Sequence, residues 1–223
     1  MQINDSVRSD VFLRSSFRSS YPPKVSILSE LIGQEEFCGK SGVNHDVVTA
    51  LAVLAASTCR GVVHGAIETI TEELIHAFGH ADVSSETCFV PVVRSGLSML
   101  RPVQERFQFP VVHFWHSSHQ KGCDKVSGEW LNGGSFEEPC VILEPIIASG
   151  RSLDLLLGEL GKICAEITVW SCYVAPEGLH QLTEKFPNVR FRIACLADSV
   201  NDCGYLVPHT NGDIGDKLYG DIL

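Results

Sequence analysis

From about residue 88 onward, short apolar runs alternate with amphipathic stretches. Strand-length runs cover residues 88–93, 110–115, 140–143, 167–174 and 189–196. Apolar positions recur at helical spacing over 98–107, 151–163 and 176–186, and in the second of these Leu153, Leu156, Leu157 and Leu160 share one face. A strand-then-helix rhythm predicts an α/β fold, its central sheet mainly parallel and flanked by helices on both faces. Upstream, residues 45–78 read as a helix. Its first part is nearly all apolar and therefore buried, while Glu68, Glu72 and Glu73 mark a wetter face later.

Two stretches break the rhythm. Residues 117–138 are polar and hold Gly122, Gly128, Gly133 and Gly134, which predicts a long lid or a disordered loop. Residues 1–24 are rich in Ser and Arg and end at Tyr21-Pro22-Pro23. They read as a flexible arm, or one wrapping a partner subunit, ahead of a single domain over 25–223. Asp5 and Asp10 count against a mitochondrial targeting segment.

Composition narrows the chemistry. With 223 residues, 44% hydrophobic and 20% charged, the chain has ample length for one large core. A net charge of −10 argues against a general nucleic-acid or anionic-membrane binder. Any phosphate site must then gather its cations locally or recruit a metal ion. No apolar run approaches the ~20 residues of a membrane span. Nine cysteines without a C-x-x-C pair predict reduced thiols in an intracellular, cytoplasmic protein rather than a disulfide framework or zinc ribbon.

Several motifs fall short. Gly39-Lys40-Ser41 looks like the end of a P-loop, but the spacing from Gly33 is wrong by one residue, and Glu35 and Glu36 would repel a triphosphate. His76 and His80 stand one helical turn apart without a third ligand nearby. His113, His116 and His119 recur every three residues, which matches neither strand alternation nor a zinc pattern.

Three strand ends carry more. The run Cys140-Val141-Ile142-Leu143 ends in Glu144, turns through small residues and enters a helix at Arg151. Backbone N–H groups of such a loop converge on an anion, and the helix dipole adds to the attraction. Ala148, Ser149 and Gly150 keep the loop slim, Ser149 and Ser152 add hydroxyls, and Glu144 sits where open α/β sheets hold ligands. Many junctions of this kind bind nothing. At a second strand end, Arg94 would fork onto a phosphate beside the amides of Ser95 and Gly96, or be an ordinary surface arginine. The third runs from Gly204 to Lys217 through Gly, Asn and Asp, either a turn or a loop whose backbone reads a flat polar ring.

Taken in order, the three resemble the uracil phosphoribosyltransferases, a branch of the type I phosphoribosyltransferases. Val92-Val93-Arg94-Ser95-Gly96-Leu97 resembles the family's pyrophosphate loop. Glu144-Pro145-Ile146-Ile147-Ala148-Ser149-Gly150-Arg151-Ser152 resembles its PRPP signature, D-P-M-L-A-T-G-G-S. Gly204-Tyr205-Leu206-Val207-Pro208, followed by Gly212-Asp213-Ile214-Gly215-Asp216-Lys217, is similar to its uracil loop, with Val174-Ala175-Pro176-Glu177-Gly178 as further support. The likeness runs from about Cys88 to Gly220.

The resemblance implies the type I phosphoribosyltransferase fold, with a lid loop and a small C-terminal hood over the base. It implies transfer of the 5-phosphoribosyl group from PRPP to uracil, giving UMP and pyrophosphate in pyrimidine salvage. Mg²⁺ would be held through PRPP rather than by a dedicated protein site. A homodimer or larger assembly and a GTP effector are implied as well. Carried over by position, Arg94, Ser95 and Gly96 would take the pyrophosphate. Glu144 would reach the ribose hydroxyls, with Pro145, Ile146 and Ile147 leading into the PRPP loop. Ala148, Ser149, Gly150, Arg151 and Ser152 would hold the 5′-phosphate. Leu206, Gly212, Asp213 and Ile214 would read uracil through the backbone, Asp213 lying near PRPP too. Glu144, Asp213 and Arg94 would be the catalytic set.

The chain departs from the family pattern in several places. Glu144 replaces Asp, and a shift of ~1 Å at a reacting centre costs about a hundredfold. Arg151 replaces the second Gly of the signature. Trp115-His116-Ser117-Ser118 stands where the family has Tyr-Arg followed by acids, so His116 occupies a PRPP-clamping position; losing such an Arg costs roughly 10²–10³ in rate. His209-Thr210-Asn211 is one residue longer than the family loop. Two other readings therefore stand beside the first: a non-catalytic phosphoribosyltransferase fold that binds nucleotides or a partner, and a transferase for another base.

Overall fold

The structure is a computed structural model that describes residues 25–27, 50, 59–108, 110–119, 126–132, 136–197, 199–200, 206–207 and 213–220. In chain order the elements begin with β1 (Val25–Ile27), α1 (Arg60–Asp82) and β2 (Cys88–Val93). A 3-10 turn (Ser95–Met99) leads into α2 (Leu100–Arg106), then β3 (Val111–Val112), β4 (Trp115–His119) and β5 (Val126–Trp130). Next come β6 (Cys140–Leu143), β7 (Ile146–Ile147), α3 (Arg151–Leu160), β8 (Ile167–Val174) and α4 (Pro176–Lys185). The chain closes with β9 (Arg190–Leu196), a two-stranded pair β10 (Ser199–Val200) and β11 (Leu206–Val207), and α5 (Ile214–Tyr219).

The main sheet runs in the order β1-β9-β8-β6-β2-β4-β5, and every neighbouring pair is parallel except β4–β5. Parallel strands covered on both sides must be apolar on both sides, and the alternation of side chains sorts the residues between two cores. Phe89, Val141, Leu143 and Trp170 point to the face covered by α1, α2 and α5. Cys88, Val90, Val92, Cys140, Ile142, Phe191 and Ile193 point to the face covered by α3 and α4. The four leucines that share one face of α3 are all buried there, as their spacing predicts.

Helix α1 buries Val63, Ile67, Ile70, Leu74 and Phe78 at helical spacing. Its last residue, Asp82, accepts the Trp170 indole at 3.0 Å and Arg192 Nε at 3.0 Å, while Arg192 lies over the Phe78 ring. That buried ion pair is fully hydrogen-bonded, the condition under which a charge tolerates an apolar core. It ties α1 to β8 and β9.

The strands expected at 88–93, 140–143 and 167–174 are observed with those bounds, and the one at 189–196 begins at Arg190. The helix expected over 45–78 is not continuous: Ala50 is helical, but Cys59 is extended and α1 starts after it at Arg60, running on to Asp82; residues 45–49 and 51–58 lie outside the described residues. The helix expected to reach residue 163 stops at Leu160, and the one expected from residue 98 is preceded by the 3-10 turn. The strand expected over 110–115 is broken at His113 and Phe114 into β3 and β4, with His113 stacked on Phe136 at 4.3 Å between ring centres.

The polar stretch 117–138 is not one long structureless loop. Trp115–His119 and Val126–Trp130 pair as an antiparallel ribbon, with Trp115 opposite Trp130 and Ser117 opposite Gly128. The Trp115 ring lies over Gly128, where any Cβ would collide with it. A fully buried tryptophan on a glycine platform holds a ribbon whose other residues are largely polar. Residues 120–125 and 133–135 of the expected lid, and the arm at 1–24, lie outside the described residues. Among the described residues no helix is long and apolar enough to cross a membrane.

Candidate functional site

The five principal parallel strands occur in chain order β2, β4, β6, β8, β9, but lie side by side as β9-β8-β6-β2-β4. The chain leaves β2 toward one edge to build β4, then returns to the other side of β2 to build β6. Loops leaving the carboxyl ends of β2 and β6 therefore diverge and open a crevice, the place where open α/β sheets bind ligands. Arg94, Ser95 and Gly96 follow β2, and Glu144 follows β6.

The two strand tips touch. Ser95 Oγ donates to Glu144 Oε1 at 2.9 Å, and a Cβ on Gly96 would run into the Leu143 carbonyl. Glu144 is buried, and burial pushes its carboxyl up to about 8; the bond from Ser95 opposes this, the negative charge of Asp213 adds to it, and the Ile146 amide opposes it. Near neutral pH this side chain therefore carries a proton for much of the time.

Pro145 explains why an acid can sit there. Lacking an N–H, it interrupts the β6 ladder, and its carbonyl instead accepts the Cys172 and Tyr173 amides at 3.1 and 3.0 Å. The strand resumes as β7 in the same register, Ile146 opposite Tyr173 and Ile147 opposite Val174. The loop after it is tightly fitted. Gly150 has φ +75°, the left-handed region that favours glycine, and starts α3 by accepting the Asp154 amide at 2.8 Å. Gly178, in the first turn of α4, lets the Ala148 carbonyl approach so closely that any Cβ would overlap it. Ser149 and Arg151 are exposed at this edge.

Arg94 turns toward the C-terminal segment. Its Nη1 donates to the Gly220 carbonyl at 2.7 Å and its Nη2 to Asp216 Oδ1 at 2.6 Å. Asp213 caps α5, its Oδ1 accepting the Asp216 amide at 3.0 Å. Lys217, on the same short helix, has a buried Nζ without a hydrogen-bond partner; burial lowers its pKa and Asp213 opposes the shift.

Arg94, Ser95, Gly96, Glu144 and Asp213 thus form one cluster, and the loop from Pro145 to Ser152 leaves the same sheet edge. His116 sits directly beside Val93 across the β2–β4 pair, its Nδ1 3.8 Å from Glu129 Oε1. The side chains of Leu206 and Ile214 are buried in the α1-side core and do not face the crevice. Gly212 lies outside the described residues. Reading the sequence missed Asp216 and Gly220, which hold Arg94, and the packing role of Gly178. Gly178 and Asp216 both stood within motifs named above, but the Arg94–Asp216 contact spans 122 positions and left no local trace of the pairing. Among the described residues no three His, Cys, Asp or Glu side chains are grouped to hold a metal ion.

A family model described as uracil phosphoribosyltransferase matches residues 41–221. The chain belongs to that family. A uracil phosphoribosyltransferase of Roseiflexus castenholzii is 32% identical over 149 residues, covering 64% of this chain and 69% of its own. One from Synechococcus elongatus is 30% identical over 149 residues, covering 62% and 66%. The structure of the AQ2163 protein from Aquifex aeolicus shares the fold, with a TM-score of 0.71 at 23% identity, covering 88% of this chain and 98% of that one. As a uracil phosphoribosyltransferase family member, the protein is a divergent phosphoribosyltransferase.

Proposed function

We propose that the protein transfers the 5-phosphoribosyl group from PRPP to uracil, forming the bond from uracil N1 to C1′ as the bond from C1′ to pyrophosphate breaks and the N1 proton is lost to solvent. The observation that supports this most is the Ser95–Glu144 contact, which closes the base of the crevice between two strand tips carrying family motifs. The backbone of residues 148–152, entering α3, suits the 5′-phosphate. Glu144, once ionised, suits the ribose hydroxyls. Arg94 suits the departing pyrophosphate if that anion draws it from Asp216, since charge-assisted bonds are the strong ones. The C1′ centre gains positive character as the old bond lengthens, so catalysis rests on alignment and electrostatic stabilisation. Backbone groups of the segment containing Leu206, Asp213 and Ile214 suit uracil, whose N3–H and O4 present a donor and an acceptor that cytosine reverses.

Mg²⁺ is expected to accompany PRPP, where it neutralises diphosphate charge. Glu144 and Asp213 supply hard oxygen donors near that group, which suit this ion. Two carboxylates without a third make no dedicated cage.

The test follows pyrophosphate release from purified protein with PRPP, Mg²⁺ and each nucleobase in turn. UMP formation, reduced at least 10²-fold by Arg94→Ala, is the expected result. A second reading has its own support: Arg94 is already engaged by Asp216 and Gly220, and Glu144 is largely protonated, as befits a binder that does not turn over. PRPP raising the melting temperature without any pyrophosphate release would select that reading, and turnover with another base alone would move the specificity.

A further inference from the structure

We propose that Ser95 is a positioning residue for the pentose end of the substrate rather than a ligand of the pyrophosphate: its hydroxyl holds the Glu144 carboxyl where the ribose hydroxyls arrive. This role rests on the phosphoribosyl reading of the crevice, and it gives Ser95 the opposite end of the substrate from the one its place beside Arg94 implies.

The hydroxyl is already committed. Ser95 Oγ donates to Glu144 Oε1 at 2.9 Å across the β2 and β6 tips. A serine hydroxyl carries one O–H, so while that bond stands it has no proton for a diphosphate oxygen. The carboxyl's other donor, the Ile146 amide, lies in its own loop. Ser95 is therefore the donor that ties the acid to a second element. Arg94 faces elsewhere, with its Nη1 on the Gly220 carbonyl at 2.7 Å and its Nη2 on Asp216 Oδ1 at 2.6 Å. Adjacent residues thus divide the work, Arg94 serving the leaving group and Ser95 the sugar.

The main chains on both sides are fixed. Ser98 Oγ, fully buried, donates to the Ser95 carbonyl at 2.6 Å, and the Leu97 amide donates to the Arg94 carbonyl at 3.2 Å. The Glu144 amide donates to the Trp170 carbonyl at 3.1 Å. Between the tips, a Cβ on Gly96 would run into the Leu143 carbonyl and crowd Pro91. What remains to be set is the Glu144 side chain, which is long and keeps its rotamer freedom unless its end is tied. Glu144 is only 7% exposed, and a buried carboxyl oxygen that loses its donor must turn to find another. At a substrate-positioning group, a displacement of about 1 Å costs up to about a hundredfold.

Two probes separate the ends of the substrate. Ribose 5-phosphate has the pentose hydroxyls and no diphosphate, and inorganic pyrophosphate has no pentose. Isothermal titration of the full chain should show Ser95→Ala weakening ribose 5-phosphate about tenfold and pyrophosphate by less than about twofold. Ser95→Thr, which keeps the hydroxyl, should restore the first. In a Glu144→Ala background Ser95→Ala should have no further effect, because the hydroxyl then has no carboxyl to hold. If Ser95→Ala fails to fold, Ser95→Cys, a weak donor of similar size, should give the same pattern.

Unchanged ribose 5-phosphate binding, equal loss of both probes, loss of pyrophosphate alone, or an undiminished effect in the Glu144→Ala background would each overturn the proposal. The expected pattern in a protein that releases no pyrophosphate from PRPP with any base would leave Ser95 its role and sink the transfer reading alone. Turnover with ribose 5-phosphate binding indifferent to Ser95 would sink this role alone. A wild type that binds neither probe overturns both.

Discussion

Glu144 shows how much burial at a strand tip changes an acid. Its carboxyl is raised from 4.5 to about 8, so the folded chain holds a proton that the unfolded chain releases above about pH 4.5. Stability from this group is greatest below about pH 4.5, falls as pH rises, and reaches its floor above about pH 8. Glu144→Gln should remove that slope, and at pH 9 it should be the more stable protein by on the order of 5 kcal/mol. Urea unfolding of both proteins at pH 5 and pH 9 checks this, and equal slopes would mean Glu144 ionises freely. If Glu144 also takes ribose hydroxyls, PRPP affinity should rise between pH 7 and pH 9 in the wild type and stay level in the Gln variant, by isothermal titration. The acid itself was legible in the sequence, being an acid at the end of an apolar run. Its raised pKa was not, because that depends first on burial among elements drawn from distant parts of the chain, and then on the charge of Asp213.

Among the elements, the β7–α3 loop is set by two glycines, one in the loop and one beyond it. Gly150→Ala places a Cβ at positive φ against Leu182 at 3.0 Å and should cost roughly 1–2 kcal/mol. Gly178→Ala leaves the α4 backbone helical but drives a Cβ into the Ala148 carbonyl, forcing the loop away. It should cost about 1–3 kcal/mol in stability and weaken inorganic phosphate binding beyond that loss, read as a smaller phosphate-induced rise in melting temperature. The strands at 88–93, 140–143 and 167–174 were legible because buried parallel strands are near-continuous apolar runs. The ribbon of β4 and β5 was not, because its stability comes from Trp115 resting on Gly128 across the strands, and the residues between are polar. Strand β1, three residues long, is too short for any periodicity to register.

At the scale of the whole molecule, the C-terminal segment is fastened to β2 through Arg94. Asp216 and Gly220 receive two of its N–H groups. A double-mutant cycle between Arg94→Ala and Asp216→Ala should give a coupling on the order of 1 kcal/mol, since the pair is only partly buried. Adding pyrophosphate should shrink that coupling if the anion competes for Arg94; coupling unchanged by pyrophosphate would leave the arginine a strut. The order of the motifs in the sequence indicated one crevice, but not which groups already fill its donors and acceptors.

The carbonyl of Pro145 rests on two amides of β8, and those amides belong to Cys172 and Tyr173. A designer wishing to re-aim the acid, or to transplant this signature into another scaffold, would gain little by copying residues 144–152 alone. The receiving protein must also present a neighbouring strand whose ladder runs past the break to hold the Pro145 carbonyl, and a hydroxyl in the place of Ser95 to meet the carboxyl.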